Sequence, residues 1–314
     1  MCLPALELLR ASGRPLVLCG RGWAADLLAG FGAAGFVAAG AGIRADAAAL
    51  RTARRASLPH RAAARDTHAH GVVFPNSLSS AAAFRLAGIA AAGYRGDGRS
   101  LLLRWPFARS RGPLHEVEVF YRLARQSLVA WRWADAPPAG PMAMLRLPLT
   151  AGHEAGAAGA LAQAGVEGGF VLLAPTVVGT HQGRPKAWPH FGELALALER
   201  AGHRCVVCPP AAEADAARAA VPAATVLPPL SLGAFAALAR RAALVVCNDS
   251  GASHVAAAVG ARQITLFGVT RRERTGPWSP NAECLGSHDA WPGTAEVADA
   301  ALRLLAASRL DETS

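Results

Sequence analysis

A run of polar residues and glycine in the second half of the chain is the part best suited to bind a phosphate group. It contains Asp249, Ser250, Gly251, Ser253 and His254. The apolar residues before it predict a buried strand over 244–247, and the alanine-rich residues after it predict a helix. The first amide groups of a helix have no intrahelical partner, and they bind phosphate oxygens. Gly251 permits close approach of the backbone, while the serines and His254 add side-chain donors. The run therefore predicts a phosphate site, and capping of the helix by Asp249 or Ser250 is the alternative.

Lys186 is the second candidate, because it is the only lysine and the other 31 of the 32 basic residues are arginine. A lone lysine in so arginine-rich a composition suggests a compact ammonium placed against a phosphate. Lys186 lies in a glycine-containing loop, residues 176–188, between a predicted strand and a predicted helix. Such loops lie at the carboxyl edge of a parallel sheet, where ligands bind. Retention by chance on a solvated loop is the alternative.

A carboxylate, Glu213, follows another predicted strand, 204–208, at the same edge. Acidic residues in this position bind the hydroxyls of a ribose in other nucleotide-binding folds. An ordinary glutamate in the first turn of a helix, favoured by the helix dipole, is an equally good interpretation.

In the first half of the chain, polar and basic residues gather after a predicted strand, 71–74. Asn76 and Ser77 follow that strand directly, and Arg95, Arg99 and Arg104 come soon after it in the sequence. A set of this kind suits an acceptor molecule that bears carboxylates or phosphates. Turn capping by Asn76 and Ser77, with arginines that serve only solubility, is the alternative.

The elements that must position these residues alternate along the whole chain. Short apolar runs and amphipathic helical patterns follow one another, which predicts an α/β fold with doubly wound parallel sheets. Proline, glycine and alanine are concentrated between residues 131 and 168, a composition typical of a domain connection. We therefore predict a first domain over 1–150 and a second over 151–314, with a cleft between them. In the second domain, strands are predicted over 170–174, 204–208, 244–247 and 263–267, and helices begin at Phe191, Leu232 and Ser253.

The chain opens on a helical pattern, Leu3, Leu6 and Leu9, with no strand before it. A doubly wound domain normally begins with a strand that leads into its first helix. The first domain is therefore expected to lack its first strand, because either the start is assigned late or the domain is degenerate.

The net charge of +10 and the pI near 10.5 favour anionic partners such as nucleic acid, nucleotide phosphates or an anionic membrane surface. No zinc-knuckle, helix-turn-helix or aromatic-rich RNA-binding signature accompanies the arginines, so nucleic acid is not an expected partner. The one long run without charges, residues 27–43, is too short and too rich in glycine and alanine to span a membrane. No signal-peptide pattern opens the chain, and a cytoplasmic location is expected. The densest arginine group is interpreted as a solvated basic face: Arg51, Arg54, Arg55, Arg61 and Arg65.

Six cysteines are spread thinly along the chain and are expected to be reduced thiols. Cys205 and Cys208 are the one pair close in sequence. Residues three apart on a strand point to opposite faces, so this pair is interpreted as structural rather than as a metal or redox site.

Taken together and in order, these motifs resemble the ADP-heptose lipopolysaccharide heptosyltransferases of glycosyltransferase family 9. The resemblance begins at Asn248-Asp249-Ser250-Gly251 with His254, and it spans nearly the whole chain. The other matching segments are residues 186–189, 266–268 and 274–278 in the second half and residues 75–77, 86–89, 93–96 and 115 in the first half.

The resemblance implies a GT-B fold, in which two doubly wound Rossmann-like domains face each other across a cleft. The first domain would bind the acceptor through Asn76, Ser77, Arg95 and Arg99. The second would bind the nucleotide sugar, and its last helix would pack back on the first domain. The implied reaction is an inverting transfer of a heptose from ADP-heptose to the inner core of lipopolysaccharide at the inner-membrane surface, with a carboxylate as general base and with no metal or tightly bound cofactor. The implied donor-binding residues are Thr176, Lys186, Glu213, Asp249, Ser250, Gly251, Ser253 and His254.

The chain departs from the family pattern at its start. Family members begin with a strand that ends in a Gly-Asp pair, whose aspartate is the expected base, and this chain starts after that pair. Asp26 matches it only superficially, so no catalytic base is assigned. Two alternatives follow: a degenerate paralogue that binds a nucleotide or glycan without catalysis, and a GT-B enzyme that uses another nucleotide sugar.

Overall fold

The computed structural model describes residues 1–57, 69–110, 112–176, 180–181 and 183–311. It contains two compact units, Met1–Met142 and Ala143–Ser314. The division falls at Met142 rather than at residue 150, because the residues between these positions pack with the second unit. Leu145 and Leu147 are buried, and the amide of Leu147 donates to the carbonyl of Ala258 at 2.8 Å. No helix in the described part of the chain has the length and apolar character that a membrane span requires.

The first unit contains parallel strands and the helices that follow them. Its strands are β1 (Val17–Gly20), β2 (Gly35–Ala38), β3 (His70–Val73), β4 (Ala90–Tyr94) and β5 (Trp105–Phe107). Its helices are α1 (Leu3–Arg10), α2 (Trp23–Leu27), α3 (Ile43–Ser57), α4 (Leu78–Leu86) and α5 (Glu116–Ala130).

Helices cover both faces of these strands. Leu9 of α1 and Leu128 of α5 pack together with β4 on one face. On the other face, Ala81 of α4 packs against Val73 of β3. The same helix also reaches β2, because Ala83 packs in one cluster with strand β2 and helix α3. Helix α4 therefore connects the two groups of strands in this unit.

The strands of the first unit form two separate sheets, β1–β2 and β3–β4–β5, and no pairing between β1 and β3 occurs among the described residues. In the doubly wound order 3-2-1-4-5-6, the second and fourth strands flank the first. Since β1 follows the first helix, it corresponds to the second strand, and β3 corresponds to the fourth. The break between the two sheets therefore falls at the position that the first strand occupies in this order.

Two arginines of the predicted basic face connect helices rather than being only solvated. Arg51 donates to the carbonyl of Leu86 and Arg54 to the carbonyl of Gly88, both at 2.9 Å. Carbonyl groups at the end of a helix lack intrahelical partners, and a cation there is favourable. The interpretation as a purely solvated face is wrong for these two residues. Arg55 is exposed, while Arg61 and Arg65 lie outside the described residues.

The second unit is larger and contains one long sheet. Its strands are β6 (Phe170–Ala174), β7 (Thr180–His181), β8 (Arg184–Pro185), β9 (Arg204–Val207), β10 (Thr225–Val226), β11 (Leu244–Asn248), β12 (Gln263–Phe267) and β13 (Ala282–Gly286). Its helices are α6 (Ala151–Gln163), α7 (Phe191–Arg200), α8 (Ala214–Ala220), α9 (Leu232–Arg241), α10 (Gly251–Ala258), α11 (Arg272–Thr275) and α12 (Thr294–Asp311).

Six parallel strands of this unit are arranged in the order β10-β9-β6-β11-β12-β13. Numbered along the chain, with the small antiparallel hairpin β7–β8 set aside, this is the order 3-2-1-4-5-6. The predicted doubly wound sheet is confirmed for the second unit. The sequence does not predict strands β10 and β13 or the hairpin. Strand β10 and the strands of the hairpin have only two residues each, and no residue of β13 is fully buried.

Alternate residues of the central strands enter two different cores. Leu173 and Val246 pack against α7 and α12 on one face, whereas Leu172 and Val245 pack against α6 and α9 on the other. Every residue of β11 and β12 is buried. Burial on both faces explains why β11 is an uninterrupted apolar run from Leu244 to Cys247. Strand β12 also contains two buried polar side chains, Gln263 and Thr265, which are hydrogen-bonded to each other at 2.8 Å.

The cysteines are free thiols in the described structure. Cys205 and Cys208 lie in different cores, on opposite faces of the sheet, as the sequence predicts. Burial raises the pKa of the Cys205 thiol to about 12 and that of Cys208 to about 11. Both thiols are therefore protonated at neutral pH and poorly suited to redox or metal chemistry.

The last helix, α12, supplies Val297, Ala300, Ala301 and Leu305 to the core of the second unit, where they pack with α7. The sequence predicts a position against the first domain for this helix. The buried side chains described for α12 belong to the core of the second unit, of which this helix is the last element.

Helix α7 allows a direct test of this core. Replacement of the fully buried Leu198 by alanine should lower the free energy of unfolding by about 2–5 kcal/mol, because it removes methyl groups from close packing. Leu196 lies on the same helix and is 47% exposed, so Leu196→Ala should cost less than about 1 kcal/mol. Urea denaturation measures both. Equal effects of the two substitutions would contradict the assigned burial of this helix.

Candidate functional site

The order of the sheet in the second unit determines where a ligand can enter. The chain proceeds outwards from β6 to β10 on one side, then returns to begin again at β11 on the other. Connections from β6 and β11 therefore leave in opposite directions, and a crevice opens at their carboxyl ends. Thr176 follows β6, and Asp249 follows β11. Two of the predicted donor-binding residues thus flank the crevice directly.

The turn from β11 into α10 is formed as its sequence predicts. The hydroxyl oxygen of Ser250 accepts from the amide of Ala252 at 3.3 Å, so Ser250 caps the helix. Asp249 continues the pairing with β12, since its amide donates to the carbonyl of Leu266 at 3.1 Å. Helix α10 then begins at Gly251, two residues earlier than predicted, and its first amides face the carboxyl edge of the sheet. His254 is half-buried in the first turn.

One predicted donor residue has another role in this turn. Ser253 is fully buried, and its hydroxyl donates to the carbonyl of Ser250 at 2.8 Å. The expectation that Ser253 offers a free hydroxyl to a ligand is therefore wrong for this structure. Its hydroxyl stabilises the turn, in which the amide of Ala252 is also occupied by Ser250.

Gly251 is exposed, and its conformation does not require glycine. Its φ is not positive, and a Cβ built on it would meet nothing within 4 Å. Neither backbone strain nor crowding within the chain therefore explains glycine at this position. The open space above Gly251 is where a ligand could approach the helix N-terminus.

Lys186 lies in a segment that is held on both sides, residues 183–188, which we call the lysine segment. On one side, the Arg184 guanidinium donates to the carbonyls of Gly268, at 3.1 Å, and Asp289, at 3.3 Å. On the other side, Trp188 is buried, and its indole donates to the carbonyl of Pro292 at 2.9 Å. Lys186 itself is half-buried, and its ammonium has no ion pair or hydrogen bond with any described residue.

Glu213 ends a 3₁₀ turn, Ala211–Glu213, after β9, and it is half-buried. Its carboxylate forms no ion pair or hydrogen bond within the described part of the chain. Neighbouring strands are about 4.8 Å apart, so the ends of β9 and β11, with β6 between them, are separated by about 10 Å. The structure thus places Glu213 at the same edge as Asp249 but two strands away.

In the first unit, Asn76 and Arg99 lie together. The Arg99 guanidinium donates to Oδ1 of Asn76 at 2.9 Å and to the carbonyl of Gly96 at 3.2 Å. Ser77 caps α4 by accepting from the amide of Ser80, which is the alternative that the sequence left open. Arg95 is exposed at the end of β4. The four residues of the predicted acceptor set are therefore a buried arginine, the asparagine bonded to it, a capping serine and an exposed arginine.

Three residues outside the predicted set of donor-binding residues hold the site in place. Asn248, Arg184 and Trp188 connect the lysine segment to the ends of β11, β12 and the loop before α12. The signal for Asn248 was an amide at the end of a fully apolar strand, a position where a buried polar side chain must find partners.

Among the described residues, no three His, Cys, Asp or Glu side chains come together in a way that could hold a metal ion.

A family comparison agrees with the motifs. The model of glycosyltransferase family 9 (heptosyltransferase) matches residues 63–301. The chain belongs to this family. It is therefore a glycosyltransferase, and the run from Asp249 to His254 and the lysine segment both lie within the matched region.

Solved structures of related fold agree with the GT-B assignment for this glycosyltransferase. The E. coli ADP-heptose lipopolysaccharide heptosyltransferase II gives a TM-score of 0.72 at 20% identity, covering 100% of this chain and 95% of that one. A family 9 glycosyltransferase from Veillonella parvula gives 0.78 at 14% identity, covering 96% and 92%. The E. coli heptosyltransferase WaaC, solved with ADP, gives 0.69 at 21% identity, covering 96% and 95%. No curated protein matches the chain in sequence.

The capping role of Ser250 can be measured apart from any ligand. Ser250→Ala should lower the free energy of unfolding of this glycosyltransferase by about 1 kcal/mol, because the amide of Ala252 loses its acceptor. Ser250→Asp supplies another acceptor at the cap and should retain most of the stability. Thermal or urea unfolding distinguishes the two variants, and equal stability of both would remove Ser250 from the cap.

Proposed function

We propose that this glycosyltransferase moves a heptose from ADP-heptose to the inner core of lipopolysaccharide, with inversion at the transferred carbon. The observation that carries the proposal is the crevice between β6 and β11, where a helix N-terminus and the one lysine of the chain lie at the same edge of the sheet. Inorganic or nucleotide diphosphates are the ligands that such a site favours.

The charges at the edge support a departing diphosphate. The lysine ammonium has no carboxylate partner among the described residues, and the first amides of α10 point to the same edge. As the bond between the sugar and the diphosphate breaks, negative charge grows on the leaving oxygens. Donors that are already in position stabilise this charge without reorganisation. Lys186 and the Gly251 end of α10 are the proposed donors, with His254 and Thr176 as further contacts.

Glu213 is proposed to bind the ribose of the donor. Its carboxylate is half-buried and has no partner within the described structure, which suits an acceptor for the two ribose hydroxyls. The separation of about 10 Å between the ends of β9 and β11 leaves room for the nucleoside part of the ligand beside its phosphates.

The acceptor is proposed to bind the first unit near Arg99. This arginine is 5% exposed, and both of its hydrogen-bond acceptors are neutral oxygens. None of the carboxylates in the described ranges forms an ion pair with it. A buried cation without an opposite charge is costly, so an anionic acceptor group beside it would be stabilising. The exposed Arg95 extends the same basic site.

The location follows from the acceptor. The inner core of lipopolysaccharide carries negative charge on a lipid anchor, and a protein of net charge +10 is attracted to an anionic membrane surface. We therefore propose a cytoplasmic protein that associates peripherally with the inner membrane. ADP-heptose is a substrate in this scheme. A carboxylate acts as the general base that accepts the proton of the acceptor hydroxyl, and we assign no residue to this role.

Calorimetry with ADP, UDP, GDP and CDP at fixed salt tests the donor. We expect selective binding of ADP, and Lys186→Ala should weaken it by about 1.5–3 kcal/mol because a charge-assisted contact is lost. Arg146→Ala is the matched control, since it removes one exposed positive charge from the same unit. Preference for another nucleotide would indicate a different nucleotide sugar, and binding of none of the four would contradict the proposed donor site.

A transfer assay tests the reaction itself. ADP release from ADP-heptose should depend on added lipopolysaccharide that lacks its heptoses. ADP binding without ADP release would identify a binding protein that does not catalyse the transfer.

The open space at Gly251 gives an independent test of the same site. Gly251→Ala should weaken ADP binding by about tenfold, because the new methyl group occupies the space through which a phosphate approaches the helix. Gly159→Ala is the control, since Gly159 lies in α6 and also has nothing near its Cβ position. Neither substitution should lower the thermal stability. Unchanged ADP affinity in Gly251→Ala would show that the ligand does not reach this residue.

A further inference from the structure

We propose that Asn248 is a positioning residue, whose side chain fixes both ends of the loop that carries Lys186 and so holds the ammonium at the donor site. The proposal rests on the proposed function, because it assigns a use to the order of the lysine segment. Asn248 does not itself touch the donor in this proposal.

The Asn248 amide forms hydrogen bonds in two directions. Its Nδ2 donates to the carbonyl of Pro175 at 2.9 Å and to that of Ala174 at 3.4 Å, where the loop begins. Its Oδ1 accepts from the backbone amide of Trp188 at 2.8 Å, where the loop returns to the sheet. One side chain therefore joins the two ends of the loop.

The end of the β6–β11 ladder explains why a side chain is needed here. The register pairs Cys247 with Ala174 as its last pair, so the two strands part at the next residue. Asn248 continues to pair with β12, at Leu266, on its other side. Its amide thus replaces the strand pairing that ends at the crevice. Both a donor and an acceptor are required, and asparagine is a short side chain that carries both.

Complete burial makes each of these hydrogen bonds costly to lose. Asn248 is 0% exposed, so a lost hydrogen bond would not be replaced by water. A buried amide with three recorded partners restricts the positions of all three, because each bond depends on the same side-chain orientation.

Lys186 is two residues from Trp188 and two from Arg184, the other anchor of the lysine segment. With both anchors in place, the backbone on either side of Lys186 is fixed before any ligand binds. A lysine side chain is long and loses much conformational freedom on ordering. Fixing its backbone in advance lowers the cost of that ordering, which is how a residue without ligand contact strengthens binding.

A double-mutant cycle tests this role. ADP affinity is measured by calorimetry for the unchanged protein, Asn248→Ala, Lys186→Ala and the double variant. We expect Asn248→Ala to weaken ADP binding by about tenfold when Lys186 is present and by less than about twofold when it is replaced, because the amide acts through the lysine. Equal weakening in both backgrounds, or none in either, would overturn the proposal.

The lysine also provides a local measurement that requires no ligand. Because Lys186 is the only lysine, a lysine-specific protease cuts the chain at one place, within the segment in question. Asn248→Ala should speed this cleavage by about tenfold or more under native conditions, since the segment loses an anchor. An unchanged cleavage rate would contradict the anchoring itself.

Gln263→Ala is the matched control for lost stability. Gln263 is also a fully buried amide in the same sheet, at the other end of β12, where Nε2 donates to Thr265 at 2.8 Å. This variant should lose global stability. Its rate of cleavage at Lys186 should rise only as far as its global unfolding explains. Equal acceleration in the two variants would assign the effect to general unfolding and overturn the proposal.

A second variant covers the case in which Asn248→Ala does not fold. Asn248→Asp preserves the size of the side chain and the acceptor for Trp188, while it replaces the donor that faces Ala174 and Pro175. It should show the same faster cleavage and weaker ADP binding. If Lys186→Ala alone leaves ADP affinity unchanged, the proposed donor site fails, and the cleavage rates still show whether Asn248 holds the segment.

Discussion

The reversal of strand order between β6 and β11 is the constraint on which the rest of the second unit depends. Parallel strands buried on both faces must be connected by helices on alternate sides, and two neighbouring strands whose connections diverge leave a crevice at their carboxyl ends. Every candidate donor residue lies in the segments that leave this edge. The helix N-terminus, the turn at Asp249 and the lysine segment share it because the sheet topology brings them there.

Hydrogen bonds then convert a crevice into an ordered site. Ser250 and Ser253 use their hydroxyls within the turn, and the amide of Ala252 donates to Ser250. The other amides at the start of α10 are the donors that we propose for a ligand. The side-chain amide of Asn248 and the guanidinium of Arg184 fix the loop on the opposite side of the crevice. The groups left without partners among the described residues, the Lys186 ammonium and the Glu213 carboxylate, are those whose charges suit a nucleotide. Polar groups near the site are thus divided between those that shape it and those that remain for a ligand.

The two units differ in how completely their parallel strands are paired into one sheet. The second unit has an unbroken six-stranded sheet, whereas the first has two short sheets joined through the side chains of α3 and α4. Arg51 and Arg54 add to this connection by binding the carbonyls at the end of α4. Basic residues in the first unit therefore stabilise its fold as well as contributing positive charge. Arg99 does both, because it is buried and donates a hydrogen bond to Asn76.

The sequence by itself determined the fold class, the positions of the central strands and the run from Asp249 to His254. The apolar run 170–174 is recognisable because burial on both faces leaves no polar alternation. The strands at 170–174 and 263–267 both have the predicted bounds. Short edge strands such as β10 and β13 lack that signal. Only the tertiary structure decided which polar groups remain for a ligand. Ser253 finds its partner three residues earlier in the same turn, whereas Asn248 finds its partners at residues 174, 175 and 188, far away in the chain. Sequence periodicity reports which face of a segment is buried, but a hydrogen bond between distant segments depends on the strand order that brings them together.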